Sequence, residues 1–384
     1  MFGSWKRLVT VGLLAAGLAA CKVIPDDGRP PVTQPTPQPT ETPDDALPTD
    51  DGRHRIALLV PMSGSNGPVG QSIANATTMA LLDTNADNLR ITTYDTATGA
   101  DSAAARAIRD GNKLILGPLL GTDVAAVVAR ARPADVPLIT FSNDTAVAAR
   151  DVFVMGVMPE QSIARVIDYS VARGARRFAA LIPNGEYGRR AEVSLADRIA
   201  ARGGVLAATE RYDRGNTSIV SAAERLRARG GFDTVLIADG VRLSAMAAGS
   251  LKTAGADLPR LLGTELWSGD DDVTRASALR GAWFAAVSDG RYRQFVSSYQ
   301  GRFGEQPYRI ATLGYDSVLL TLRVARDWRV GSKFPAAALL DEGGFLGLDG
   351  PFRFNRNGVA ERSMEVRQVG NGTISVVDPA PTRF

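Results

Sequence analysis

The sequence predicts an α/β protein made of two doubly wound parallel-sheet lobes joined by a hinge, and three observations carry that expectation. Short β-branched runs alternate with amphipathic stretches at helical spacing. The alternation runs twice, once before Asp151 and again up to about Trp267. At 384 residues and 45% hydrophobic, the chain is long enough for two cores.

Residues 1–21 read as a secretory signal. Lys6 and Arg7 supply the basic start, and Leu8 to Leu18 form an apolar run too short to span a bilayer. Leu18-Ala19-Ala20-Cys21 resembles a bacterial lipobox, in which Cys21 becomes the acylated first residue and anchors the protein to a membrane. Lys22 after that cysteine implies, by resemblance to lipoprotein sorting, the periplasmic face of the outer membrane, with the inner membrane as the alternative. Residues 22–53 then hold eight of the 21 prolines and no apolar period. Such a segment builds no core and reads as a disordered Pro/Thr/Asp-rich linker reaching up to about 100 Å.

From residue 54 the βα pattern starts. Strands are expected at Arg55 to Pro61, Leu89 to Tyr94, Lys113 to Gly117 and Pro137 to Phe141, then Arg176 to Ile182, Val205 to Tyr212, Phe232 to Ala238 and Arg260 to Gly263. Between them, Val69 to Leu82, Ser102 to Arg109, Asp123 to Arg132, Pro159 to Arg173, Tyr187 to Arg202, Ser218 to Arg229 and Leu243 to Ala254 have helical spacing and mostly stop at Gly. A strand at Ala282 to Val287, helices at Arg291 to Arg302 and Ile310 to Arg329, and strand-like pieces at Phe352 to Phe354, Met364 to Val369 and Thr373 to Val377 complete the chain. The expected division is lobe 1 at about 54–157 and 288–330, and lobe 2 at about 158–287 and 331–384.

Composition narrows the chemistry. Lys+Arg 44 against Asp+Glu 41 leaves +3 with no basic cluster, which argues against a nucleic-acid partner. One Cys and one His remove structural zinc, disulfides within the chain and most nucleophilic triads. His54, between Arg53 and Arg55, is expected to be a solvated boundary residue. Gly64, Gly67 and Gly70 depart from the dinucleotide spacing, and Asp270-Asp271-Asp272 lacks the pattern of a calcium loop, so no cofactor and no metal are expected and the chain reads as a non-enzyme.

Four stretches carry a family resemblance: Ile56-Ala57-Leu58-Leu59-Val60-Pro61-Met62-Ser63-Gly64, Leu116-Gly117-Pro118-Leu119, Ile182 to Gly188, and Gly314-Tyr315-Asp316-Ser317-Val318. They resemble the type I periplasmic-binding-protein family of the leucine-binding type, over about Arg55 to Asp378. Phe141-Ser142-Asn143-Asp144, Gly263-Thr264-Glu265-Leu266-Trp267, Leu279 to Phe284 and Gly350 to Phe354 resemble the LpoA/LppC-like lipoproteins, which activate penicillin-binding proteins. That resemblance implies a lipid-anchored activator of a bifunctional penicillin-binding protein, supporting peptidoglycan synthesis. The alternative it leaves open is the receptor of an ABC importer for branched-chain or related amino acids.

Ligands of open α/β sheets sit beyond the carboxyl ends of strands. In lobe 1 those ends hold Ser63, Thr122, Ser142, Asn143 and Asp144, which suit either an anionic group or simple helix caps. In lobe 2 the resemblance to amino-acid receptors maps their aromatic wall to Tyr187, a further position to Asp239 and the ammonium-binding acid to Glu265, with Trp267 as a candidate stacking face. Together they would clamp a small amino-acid-like ligand.

Overall fold

The computed structural model describes residues 52–252 and 258–381. The signal sequence, Cys21 and nearly all of the linker lie outside the described residues. The first lobe winds β1 (His54–Val60), α1 (Gly67–Asp83), β2 (Leu89–Asp95), α2 (Ala100–Arg109), β3 (Leu114–Leu116), α3 (Gly121–Ala131), β4 (Leu138–Thr140) and β5 (Val152–Val154). These strands form one parallel sheet in the order β2-β1-β3-β4-β5. Every residue of β3, β4 and β5 is buried, as a sheet covered on both faces requires.

The second lobe repeats the scheme with α4 (Pro159–Ala172), β6 (Arg177–Pro183), α5 (Glu186–Ala201), β7 (Val205–Tyr212), α6 (Ser218–Arg229), β8 (Thr234–Ile237), α7 (Val241–Leu251), β9 (Arg260–Gly263), α8 (Asp272–Arg275) and β10 (Trp283–Ala286). The chain then returns to lobe 1 through α9 (Tyr292–Phe303) and α10 (Ala311–Ala325), adds β11 (Phe345–Gly347), β12 (Gly350–Phe354) and β13 (Ala360–Arg362) as a small antiparallel sheet, and ends in β14 (Glu365–Val369) and β15 (Ile374–Asp378). The last two join the second sheet, whose order is β15-β14-β10-β9-β8-β6-β7, and both pair antiparallel.

The expected division at residue 331 does not match the packing. Phe334, Leu339, Phe345, Phe352, Phe354 and Ala360 are buried in the same cluster as Ile56, Leu58 and Val60 of β1, so this stretch covers the first lobe. Return to the second lobe begins only at β14, because the aromatic residues of 334–354 bury their area on the face of sheet 1 that α1 and α10 also cover. His54 also departs from expectation. It is 3% exposed and stacks on Trp328 at 4.0 Å, and burial lowers its pKa.

Both lobes set the first helix against the first strand by the same device. β1 runs into Pro61 and β6 ends at Pro183, and a glycine in the first turn of the next helix meets that proline's carbonyl. A Cβ on Gly70 would lie 1.7 Å from the oxygen of Pro61, and one on Gly188 would lie 1.7 Å from that of Pro183. Close helix–strand approach is therefore what these glycines supply. Gly70→Ala and Gly188→Ala should each cost about 2–3 kcal/mol, because backbone atoms must shift to admit the methyl. Urea unfolding checks this, with Gly249→Ala, exposed in α7 where a Cβ meets nothing within 4 Å, as the control expected to gain up to about 1 kcal/mol from helix propensity.

Candidate functional site

Both sheets point their carboxyl ends into one cleft. The turn after β3 brings Leu119, Leu120 and Gly121, the end of β4 brings Phe141, Ser142 and Asn143, and the turn after β9 brings Glu265, Leu266 and Ser268. Val157 and Val287 enter from the two crossings between lobes, and Arg309, Ile310, Thr312, Leu313 and Asp349 form the remaining wall. Together they line a cavity of about 420 Å³ whose surface is mainly apolar. That size and lining suit a small organic molecule.

Glu265 is the best-positioned acid. Thr264 caps the short turn Glu265–Trp267, and this turn sets the carboxyl beside α5, where the Tyr187 hydroxyl donates to its Oε1 at 3.0 Å and lies 3.0 Å from the Thr264 hydroxyl. The Glu265 residue as a whole keeps some exposure, but its Oε2 is closed off from solvent and has no hydrogen-bond partner. Burial pushes the Glu265 carboxyl up to about 7, and burial together with the Glu265 charge raises the Tyr187 phenol well above its ordinary value. At neutral pH this carboxyl therefore holds a proton for a large part of the time.

The other expected site residues divide. Ser142 and Asn143 line the cavity, yet the Ser142 hydroxyl accepts from the Asp144 amide at 3.0 Å, and Asp144 turns its own carboxylate to the Ala146 amide at 2.9 Å. Asp144 is thus a cap rather than a cavity group. Ser63 and Thr122 are exposed, and Ser63 bonds to the Asp95 carboxylate. Asp239 accepts from Tyr212 at 2.6 Å and from Arg214 at 2.9 Å, and Arg214 also lies over the Tyr187 ring, 5.0 Å from its centroid. Trp267 offers no stacking face. It is fully buried beneath Gly263, its indole N–H donating to the Asp239 carbonyl at 2.9 Å, because the turn after β9 folds the ring back into the core.

Two charged liners came from no local pattern. Arg309 donates to Asp349 at 2.6 Å, reaches Ser268 at 3.4 Å and Asp289 at 3.6 Å, and lies 3.9 Å from the Tyr292 ring centroid. One of its terminal nitrogens, Nη2, makes no hydrogen bond and instead faces Asp289 Oδ1 at 3.6 Å. Behind it, Asp316 accepts from the Leu348 amide at 2.6 Å, and burial followed by the charge of Asp349 pushes its carboxyl up to about 7. Among the described residues, no group of three or more His, Cys, Asp or Glu side chains could hold a metal ion.

A family model described as periplasmic binding protein matches residues 54–373. The leucine-binding protein of Thermotoga maritima superposes with a TM-score of 0.63 at 21% identity, over 84% of this chain and 97% of that one. A solute-binding protein of an ABC transporter from Rhodopseudomonas palustris, solved with 3,4-dihydroxybenzoic acid, gives 0.68 at 18% identity, over 86% and 97%. An uncharacterized protein of Rickettsia prowazekii is 29% identical over 160 residues, 41% of this chain and 43% of its own length. The match thus spans less than half of that curated relative.

Two outcomes follow from the buried groups. Trp267→Ala should cost about 3–5 kcal/mol by chemical denaturation, the loss of a core indole rather than of a ligand contact. Glu265 and Asp316 carry pKa values raised above their unfolded ones, so the folded state holds more protons than the unfolded state between about pH 4 and 7. Stability should therefore fall as pH rises through that window, by an amount on the order of 3 kcal/mol for Glu265. Melting curves of Glu265→Gln should show a shallower fall; an unchanged slope would mean that Glu265 is ionised in the fold.

Proposed function

This chain belongs to the periplasmic binding protein family, and on that premise we propose that it is a non-enzymatic, lipid-anchored envelope protein that binds and stimulates a bifunctional penicillin-binding protein. The observation that supports this reading over delivery of an amino acid is the state of the expected zwitterion clamp. Arg214 already lies over Tyr187 and pairs with Asp239, burial raises the pKa of Glu265, the acid expected to bind the ammonium, and the Asp144 amide already occupies the Ser142 hydroxyl. An incoming ammonium would have to displace a guanidinium that is both paired and stacked. The stretches around Ser142, Glu265 and Gly350 that resemble activator lipoproteins point the same way.

A Pro-rich tether of about 100 Å after an acylated Cys21 would let such a protein reach a synthase from the outer membrane. Among the described residues no helix is long and apolar enough to cross a membrane, so the anchor in this reading is the lipid. The second reading, a receptor for an ABC importer of branched-chain or related amino acids, is favoured by the mainly apolar cavity between the strand ends and by the leucine-binding and dihydroxybenzoate-binding proteins that share the fold.

Affinity purification of the full-length protein from cross-linked envelopes separates the two. The expected result is enrichment of a penicillin-binding synthase with the wild-type protein and its loss with Cys21→Ser, which should leave the membrane fraction. Recovery of a permease with its ATPase, and no synthase, would overturn the activator reading.

A further inference from the structure

In a parallel sheet all strands start at one edge, and the helices between them return their carboxyl ends to it. In lobe 1 that edge is the pole opposite the cleft, where β1 to β5 start and α2, α3 and α10 finish. Contacts across the pole join distant stretches. His54 stacks on Trp328, the Lys113 amide donates to the Arg55 carbonyl at 2.9 Å, Arg132 pairs with Asp151, and Lys333 pairs with Asp135.

The charge of this pole is one-sided. Arg106 and Arg109 at the end of α2, Arg150 before β5, and Arg326 and Arg329 after α10 are all exposed. Among the described residues, none of these five guanidinium groups makes a hydrogen bond or an ion pair. Asp87 and Asp327, also exposed, offset only part of that charge. The arginines of α5 are spent differently: Arg190 lies in a forked pair with Glu160, and Arg198 and Arg202 both fork onto Asp168. A helix dipole accounts for Arg106, Arg109 and Arg326, but not for Arg150 and Arg329, which lie beyond any helix. No run of sequence shows the group, because folding gathers it from positions far apart.

We propose that this pole docks on the phosphate headgroups of an anionic phospholipid surface. An exposed guanidinium presents a planar fork of donors that fits phosphate oxygens two at a time, and five of them without internal partners leave that capacity open. The described chain begins at residue 52 on this same pole, so a lipid on Cys21 would hold the fold by the end that carries the arginines. The choice of a membrane rests on the lipid-anchored reading given above. Docked in this way, lobe 1 stands on the membrane by the amino ends of its strands, and the cleft opens away from it.

Vesicle co-sedimentation tests this with the processed chain, residues 21–384 carrying Cys21→Ser. Neither acyl chains nor a synthase then takes part, and the seven acidic residues between positions 22 and 53 remain as competitors. The expected result is binding to vesicles of equal phosphatidylglycerol and phosphatidylcholine, none to phosphatidylcholine alone, and release as salt rises toward about 0.3 M. Arg326→Gln with Arg329→Gln should weaken binding about thirtyfold, at about fivefold for each charge removed. Arg242→Gln with Arg280→Gln, which removes two exposed arginines of lobe 2, should leave it unchanged, and both double variants should melt with the parent. Addition of about 10 mM inorganic phosphate at constant ionic strength should not displace the protein, since a membrane engages several arginines at once. Absence of binding to the anionic vesicles, an equal loss in both double variants, or displacement by free phosphate would each overturn the proposal. None of these outcomes bears on acylation of Cys21 or on recovery of a synthase, and failure of either of those leaves the vesicle result standing.

Discussion

The lobes meet around the partly buried guanidinium of Arg309. Arg309 lies at the entrance to α10 in lobe 1, and its partners come from three places: Ser268 on the lobe 2 turn, Asp289 on the second crossing and Asp349 between β11 and β12. A charge removed from water is tolerated only when paired, so this arrangement requires all three segments to be present at once. Other arginines of the returning chain bind the crossings themselves. Arg362 donates to the Met155 carbonyl at 2.7 Å on the first, and Arg367 bonds to the Val287 carbonyl and to Asp289 on the second. The hinge is held by hydrogen bonds from arginines of the returning chain, while the apolar cores stay within each lobe.

That division of labour explains how the cleft is furnished. Apolar walls come from the strand ends and from α10, whose sequence is dictated by the cores behind them. The polar groups come from the turns beyond those ends, where backbone amides already consume most of the hydroxyl and carboxylate capacity, as Ser142 and Asp144 show. What remains unspent is a short inventory, and Glu265 stands out in it because Tyr187 and Thr264 fix its orientation while satisfying only one of its oxygens.

Much of this was legible in the sequence, and the exceptions have physical causes. β1, β6 and β8 announce themselves as continuous apolar runs, and α4 and α6 by helical spacing. β5, β11 and β13, of three residues each, are strands because a neighbour supplies their hydrogen bonds. The proximity of Tyr187 and Glu265 followed from the family resemblance. Arg309 and Asp349 did not, since neither sits in a motif and each is recruited by folding alone. Trp267 and His54 were misjudged for one reason: neighbours in sequence do not reveal which way a side chain turns, and the partners that bury them, Ser244 and Trp328, lie far along the chain.

The position of β1 has a mechanical meaning. The chain enters the fold at His54, whose ring is wedged against Trp328, and passes at once into a strand with neighbours on both sides, paired with β2 from His54 to Val60 and with β3 from Ile56 to Leu58. A pull from the N-terminal side runs parallel to that strand, so the hydrogen bonds to β2 and β3 bear the load together instead of opening one after another. Tension applied along β1 through residue 54 is therefore shared by two neighbouring strands at once.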